Sequence, residues 1–408
     1  MKQILVINTG SSSVKYRLFA MPEEKAVVSG VVESIGEADR RAVSRFYGQN
    51  GGEERLETAC ADHAQAVAHI FERLADPENG APGGISGIDA VGHRVVHGGE
   101  RFLAPVAVNA DVLASLEGLV DLAPLHMPLN IAGIRACIEI LPGARQVACF
   151  DTAFFRNLPQ SGFLYPVPFD WYEQYGVRRY GFHGISYEYL TAEAARQMGR
   201  PVDRLKIIAA HLGSGCSIMA CDKGLVRDTS MGFTPLEGLM MGTRSGSFDP
   251  AILSYMMSKT GIPADGLLEI LNTQSGLAGI SGIGRDMREI IDAMKNGSQR
   301  AGLAFDMFVH ILKKYIGACF FVMGGADCIV LSGGIGENCP EVRAAVFDGL
   351  SFAGLSVDPE KNSETTGGRA GKIHADGAGV SIRVIPANEE RMIARSVFAA
   401  SDVVDWVR

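Results

Sequence analysis

An apolar run that breaks into a glycine- and serine-rich turn and then resumes occurs twice in this chain. QILVI (3–7) leads into NTGSSS and VKYRLF, and KIIAA (206–210) leads into HLGSGCS and IMAC, so that Gly10-Ser11 falls over Gly213-Ser214. Short β-type runs on either side of a polar turn read as β-hairpins, and the recurrence far along the chain predicts a duplicated architecture. With 408 residues there is room for two domains at roughly 100 to 200 residues each. Between the hairpins the pattern predicts a helix over 60–75, a strand over 88–92, a helix near 130–140 and a strand over 146–150 ending on Asp151. Beyond the second hairpin it predicts helices near 249–260, 285–296 and 299–323, a strand over 327–331, a loop SGGIGEN (332–338), and helices over 340–347 and 389–400. The Gly-, Ser- and Thr-rich segment 360–379 reads as a surface loop. Strands alternating with amphipathic helices make the fold class α/β, with a boundary expected near 152–160. The apolar stretch 299–323 reads as buried core or as an interface.

Composition narrows the function. Hydrophobic residues at 47% and charged residues at 21% are ordinary soluble usage, which excludes a disordered or fibrous chain. Lys+Arg 38 against Asp+Glu 46 gives a net charge of -8 with the basic residues scattered. No electrostatic footprint for nucleic acid or an anionic membrane is visible, so any anionic ligand must be gripped locally. The eight cysteines include no CxxC pair and predict reduced thiols in a cytoplasmic protein. The apolar run before Asn8 is too short for a secretory signal, and no run reaches the roughly 18 apolar residues of a membrane span.

The turns carry the chemistry. Asn8, Gly10 and three serines, with Lys15 just beyond, present N–H groups, hydroxyls and an ammonium to an anion such as phosphate. A single such turn is more often a solvated loop. Two of them, with SGGIGEN set between a strand and a helix, favour a nucleotide cleft. Neither GxxxxGK[ST] nor a strand-borne GxGxxG is present, which disfavours Walker-type and dinucleotide-binding folds. Arg94 in GHRVVHGG and Arg244 in a long Gly- and Met-rich loop carry guanidinium groups suited to carboxylates and to a phosphoryl group in flight. A lone arginine is more often a structural ion pair, and Asp151 reads equally as a helix N-cap.

Four strings, VINTGSSSVKY, GHRVVHGG, DTSMGFTPLEGLMMGTRSG and GGIGEN, stand in collinear order with CFDTAF, YGFHG, HLGSG and ANEE from residue 4 to about 395. Together they resemble the acetokinase family of acetate and propionate kinases. The resemblance implies the duplicated two-domain, ribonuclease H-like fold shared by acetate and sugar kinases, heat-shock chaperone ATPases and actin. It implies an N-terminal domain over 1–152, with a C-terminal helix over 387–408 packing back on it, and a nucleotide-binding domain over 153–386. Carried over residue by residue, it makes Arg94, Asp151, His183 and Arg244 catalytic, with His126 near the phosphoryl path. Asn8 and Glu389, with Asp151, form the environment of Mg²⁺ (or Mn²⁺). It gives His211, Leu212, Gly213, Ser214 and Gly215 to the phosphates of ATP, and Asp286, Met287, Arg288, Gly334, Ile335, Gly336, Glu337 and Asn338 to its ribose and adenine. Val96, Leu125, Phe182 and Pro235, which singly would read as core, correspond to an apolar pocket for the acid's methyl group.

The reaction implied is reversible in-line transfer of the ATP γ-phosphoryl to acetate or another short carboxylate, giving ADP and an acyl phosphate, by a homodimer whose domains close on the substrates. A carboxylate is already ionised at pH 7 and needs no general base, unlike the hydroxyl of a sugar. Propionate kinase on the same scaffold is the nearest alternative, and a nucleotide-dependent binding or regulatory protein the more distant one. Several positions depart from the usual pattern. Met127 replaces Asn or Gln and Phe155 replaces His; Ile185, Ser186 and Tyr187 stand for Thr-Ser-His; Ser214 replaces Asn and Ser247 replaces Asp. These departures bear on substrate preference, nucleotide affinity and turnover rather than on the class of reaction.

Overall fold

Val6, Ile7 and their neighbours leave no polar face to β1 (Lys2–Thr9), and a strand apolar on both sides must be covered on both sides. In the computed structural model, which describes residues 1–36 and 41–403, β1 is central. It pairs antiparallel with β2 (Ser13–Met21), from which a meander continues through β3 (Lys25–Glu33), β4 (Ala42–Tyr47) and β5 (Glu53–Thr58). On its other side β1 pairs parallel with β6 (Ala90–Val95). β6 pairs parallel with β8 (Arg145–Phe150), and the short β7 (Val106–Ala107) closes that edge. One face is covered by the helix His63–Leu74, whose Ile70, Phe71 and Leu74 are buried with Leu5, Val14 and Leu18. The C-terminal helix Glu389–Val403 lies against β1, β2 and β6. The fit is close: a Cβ at Gly92 would come within 2.6 Å of Ile393 and 2.8 Å of Val397.

The second sheet repeats the plan. β9 (Lys206–Leu212), β10 (Cys216–Asp222) and β11 (Leu225–Thr229) form an antiparallel meander. β9 then pairs parallel with β12 (Cys328–Ser332), and β12 with β14 (Ser381–Val384), with β13 (Gly371–Lys372) at the edge. The hairpin β9–β10 therefore stands in its sheet where β1–β2 stands in the first, and the duplication expected from the two turns is present. The chain divides into a first unit, residues 1–156 with the segment from 388 onward, and a second unit, residues 157–387.

Several elements differ from the sequence reading. β6 runs on through Arg94 to Val95, and HLGSGCS gives four of its residues to strands, leaving Gly213–Gly215 as the turn. SGGIGEN is no loop, because Gly333–Asn338 forms a short helix. Within 360–379 the segment Pro359–Glu364 is helical, started by Pro359 and by an Asp358 carboxylate that accepts from two backbone amides. The helices Ala110–Glu117, Gly184–Met198 and Ala264–Thr273 and the strands β3, β4, β5, β11 and β14 carry no signal that the pattern resolved. The helix Gln299–Val322 buries Ala304, Phe308, Leu312, Ile316 and Cys319 as a core stripe, while Phe321 and Val322 at its end are exposed. The eight cysteines are free and buried. Among the described residues no helix is long and apolar enough to cross a membrane.

Two histidines of GHRVVHGG are core groups of the first unit. His93, 2% exposed, meets the Gln146 amide oxygen through Nε2 at 2.7 Å, and His97, fully buried, accepts the Gly99 N–H at Nδ1. Burial lowers each to about 4. Since both titrate lower when folded than when unfolded (about 6.5), the unfolded chain binds more protons between those values. Stability is therefore expected to fall as pH drops from about 6.5 to about 4, by on the order of 3 kcal/mol per histidine. Urea unfolding followed against pH checks this, and His93→Gln or His97→Asn should each flatten the slope by about one proton.

Candidate functional site

In the first unit the chemistry gathers at the carboxyl ends of the parallel strands, where α/β sheets place their ligands. Arg94 lies opposite Cys149 in the β6–β8 register, so the residue that follows β8, Asp151, stands beside its side chain. The guanidinium donates from Nε to both Asp151 oxygens (3.1 and 3.2 Å) and from Nη2 to Oδ2 at 2.7 Å. Its Nη1 lies 3.2 Å from Oε2 of Glu389. Burial alone would lower the pKa of Arg94, but the Asp151 and Glu389 carboxylates outweigh it and hold the guanidinium firmly protonated. The Asp151 carboxylate is thus turned to Arg94. Asn8, half-buried, stands near the end of β1 opposite the exposed Lys15 of β2.

Asn130 organises these strand ends. From the helix Met127–Ile140 its Oδ1 accepts the Val96 N–H at 3.0 Å and its Nδ2 donates to the Thr9 carbonyl at 3.0 Å. His63 Nε2 meets the Gly10 carbonyl at 2.8 Å. Val96 is half-buried, Leu125 is 70% exposed, and His126 occupies the N-cap position of the helix without capping it through its side chain. Among the described residues no group of three or more His, Cys, Asp or Glu side chains is placed to hold a metal ion. Asp151 and Glu389, which Arg94 joins, and the Asn8 amide offer oxygen donors, the kind that suits a hard cation keeping part of its water shell.

In the second unit a cavity of about 400 Å³ opens beside the β9–β10 turn. Gly213 and Ser214 line it from the turn, Arg285, Asp286, Met287 and Arg288 from the start of the helix Met287–Lys295, and Gly334, Ile335, Asn338 and Cys339 from the opposite wall. Asp286 caps that helix by accepting the Arg288 N–H and pairs with the Arg288 guanidinium at 2.6 Å, which lowers its pKa. Gly333 is required where it is. Its φ is +76°, and a Cβ would lie 2.7 to 2.9 Å from Leu212 backbone atoms. Leu212, Gly336 and Glu337 do not line the cavity. The Glu337 Oε1 accepts from the backbone amides of Gly333 (2.8 Å) and Ala387 (3.1 Å) and so clamps the short helix.

The same turn is approached by three cationic or ionisable groups. Two imidazoles, His183 and His211, stand with ring centroids 4.6 Å apart. Each has its Nδ1 on a serine: His183 on Ser217 at 2.9 Å, His211 on Ser186 at 2.8 Å. Arg244 sits on a loop without regular structure that is nonetheless held throughout. Gly242 donates to Ser214, Ser245 to Leu271, and the amides of Ser275, Leu277 and Ala278 return to Thr243, Met241 and Gly242. Its Nη1 reaches the Pro235 carbonyl at 3.4 Å and the Met241 sulfur at 3.9 Å. No carboxylate among the described residues pairs with it, and burial lowers its pKa. A Cβ on Gly215 would lie 3.3 Å from Arg244 Nη1 and 3.6 and 3.7 Å from Cε1 and Nε2 of His183, so both groups converge over this glycine. Phe182 is buried and Pro235 half-buried.

The model of the Acetokinase family matches residues 3–395. An acetate kinase of Caldanaerobacter subterraneus subsp. tengcongensis is 47% identical over 394 residues, 96% of this chain and 97% of that protein. Among solved structures, an acetate kinase of Porphyromonas gingivalis is similar with a TM-score of 0.91 at 43% identity, covering 98% of this chain and 99% of that one. A propionate kinase from Francisella tularensis subsp. tularensis SCHU S4 is similar with a TM-score of 0.89 at 37% identity, covering 97% and 99%.

Sequence reasoning missed Asn130, Arg285 and Arg343, and gave no role to Ser186 or Ser217. Arg285, Ser186 and Ser217 adjoin or fall within strings that were read, but Asn130 and Arg343 lie in regular elements with no motif to mark them. Arg343 is 1% exposed and donates to the carbonyls of Gly336, Glu337, Asn362 and Thr365 and to the Asn362 amide oxygen. It thereby ties the end of the cavity-lining helix to the segment after Pro359, and burial lowers it to about 10. Arg343→Leu strands these acceptors, and a loss of about 3 kcal/mol or more is expected from urea unfolding. Arg343→Lys, with a single rotatable ammonium in place of a planar fork, should recover only part of it.

Proposed function

The chain belongs to the acetokinase family, and from that membership we propose that it transfers the γ-phosphoryl group of ATP to acetate, giving acetyl phosphate and ADP, in a direct in-line displacement that also runs in reverse. The observation that carries this reading is Arg244, a half-buried guanidinium with no carboxylate partner among the described residues, which converges with His183 on the turn beside the cavity. A cation left in that state is stabilised by an anionic ligand, and a phosphoryl group in transfer spreads its charge over three equatorial oxygens.

The acceptor carboxylate is ionised at neutral pH and attacks without a general base. The protein's part is alignment and positive charge. Arg94 in the first unit, held oriented by Asp151 and Glu389, offers its remaining N–H groups to the acid or the phosphoryl oxygens. Arg244 and His183 in the second unit do the same for the phosphoryl group. ATP is assigned to the cavity, with its phosphates over Gly213 and Ser214 and its nucleoside against Asp286, Met287, Arg288 and Gly334–Asn338, where Glu337 shapes the wall from behind. Asn8, Asp151 and Glu389 are the residues that would hold Mg²⁺ or Mn²⁺, which when bound offsets phosphate charge.

Val96, Leu125, Phe182 and Pro235 are proposed as the apolar surroundings of the acid's methyl group. A second reading, propionate as the preferred acid, is favoured by the similarity to the Francisella propionate kinase. One methylene in an apolar pocket is worth only about 1 to 3 kcal/mol, so the two differ by degree.

Two measurements test the reading. With ATP and Mg²⁺ in a hydroxamate-trapping assay, kcat/KM is expected to be highest for acetate, then propionate, then butyrate, and a preference for propionate would overturn the acetate assignment. Arg94→Ala and Arg244→Ala are each expected to lower kcat by about 10²- to 10³-fold while the protein stays folded. Near-normal turnover in either removes the role given to that arginine.

A further inference from the structure

We propose that Ser217 and Tyr187 are positioning residues that keep the proton of the His183 imidazole on Nε2, where it serves as a hydrogen-bond donor. The inference rests on the reading of His183 as a group that touches the transferring phosphoryl.

Tyr187 lies one helical turn beyond His183, on the helix Gly184–Met198, and is fully buried. Burial pushes its phenol well above the ordinary range, so it keeps its proton. The Tyr187 oxygen takes a hydrogen bond from the backbone of His211 and shares another with Oγ of Ser217. A phenol carries one hydrogen, and the proposed relay assigns it to Ser217, with the Tyr187 oxygen accepting from the backbone. Ser217, fully buried on β10, also has one hydrogen, and its other side-chain partner is Nδ1 of His183 at 2.9 Å. A hydroxyl that accepts from Tyr187 donates onward, which makes Nδ1 an acceptor and leaves the ring's proton on Nε2.

The direction matters because of what Nε2 faces. A Cβ on Gly215 would stand 3.7 Å from Nε2 and 3.3 Å from Nη1 of Arg244, so this edge of the ring and the guanidinium look onto one space. With its proton on Nε2 the ring adds a second donor there, as an anionic oxygen requires. With its proton on Nδ1 it would present a lone pair to the same oxygen and repel it. The backbone of His183 is left-handed, at φ +59°, a conformation that a residue with a side chain holds only when its surroundings fix it. The Ser217 contact is part of that restraint.

The test reads the tautomer and the turnover separately. In the ¹⁵N-labelled full chain, long-range ¹H–¹⁵N spectra near pH 7.5 resolve the imidazole nitrogens, and His183→Asn identifies the His183 signals by their loss. His183 is expected as the Nε2–H form. Ser217→Ala should move proton population to Nδ1 and lower kcat about 10-fold or more, with the KM for ATP within about twofold of the parent. Ser217→Thr, which keeps the hydroxyl, should restore both. Tyr187→Phe removes only the first donor and should shift both readouts in the same direction to a smaller extent, which keeps the test usable if Ser217→Ala does not fold. A parent protein with its proton on Nδ1, or a tautomer unmoved by loss of the Ser217 hydroxyl, overturns the relay. A shifted tautomer with unaltered turnover instead removes His183 from the transition state, and the positioning role goes with it.

Discussion

A guanidinium half withdrawn from water without a carboxylate partner is short of counter-charge, and Arg244 is held in that condition by the loop and helices of the second unit around it. Its loop returns hydrogen bonds to the β9–β10 turn and to the helices Ala264–Thr273 and Gly276–Ser281, so the side chain cannot relax outward without breaking a backbone network. Arg343, deeper still, is satisfied by carbonyl and amide oxygens of the fold, whereas Arg244 reaches only the Pro235 carbonyl and the Met241 sulfur and keeps donors for an anion of the kind the proposed function supplies. Arg94 is the opposite case: two carboxylates fix its plane, and it is oriented before any ligand arrives. One arginine thus gives pre-alignment and the other unspent attraction.

Close approach is the second constraint, and it explains the glycines better than flexibility does. At Gly333 a left-handed backbone and contact with Leu212 bring the short cavity-lining helix directly against the end of β9. At Gly215 the missing Cβ leaves space for Arg244 and His183 together. At Gly92 it admits the C-terminal helix onto β6, one residue before His93 and two before Arg94, so the segment from 388 onward fixes the strand that carries the first arginine. Glu389, which begins that helix, then meets Arg94 directly. Packing and electrostatics of the first unit are therefore joined through one helix distant in sequence.

Much of this was legible before any coordinates. The paired turns marked the duplicated sheet, and Arg94 and Arg244 stood in strings too dense to be incidental. What the sequence could not show are groups whose role comes from spatial neighbours. Ser217 is an ordinary strand residue until Tyr187 and His183 are seen on either side of it. Asn130 is a polar residue in an apolar helix until its amide spans the ends of β1 and β6. Glu337 sat inside a string read as nucleotide-facing, yet a six-residue helix leaves its own amides unpaired, and the nearest carboxylate turned back to take one. The segment 360–379 looked like surface because its composition is polar. Its carbonyls at Asn362 and Thr365 are instead the acceptors that keep Arg343 inside.

The departures from the family pattern follow the same logic. Met127, Phe155, Ile185 and Tyr187 are all buried, so each must be judged by packing as well as by chemistry. Met127 begins the helix that carries Asn130, and a change of volume there is transmitted to the strand ends that Asn130 joins. Ser247 accepts the Gly238 N–H and meets the Tyr315 hydroxyl, bonds that an uncharged hydroxyl makes without adding a charge to the loop. An aspartate at that place would put a carboxylate three residues along the chain from Arg244.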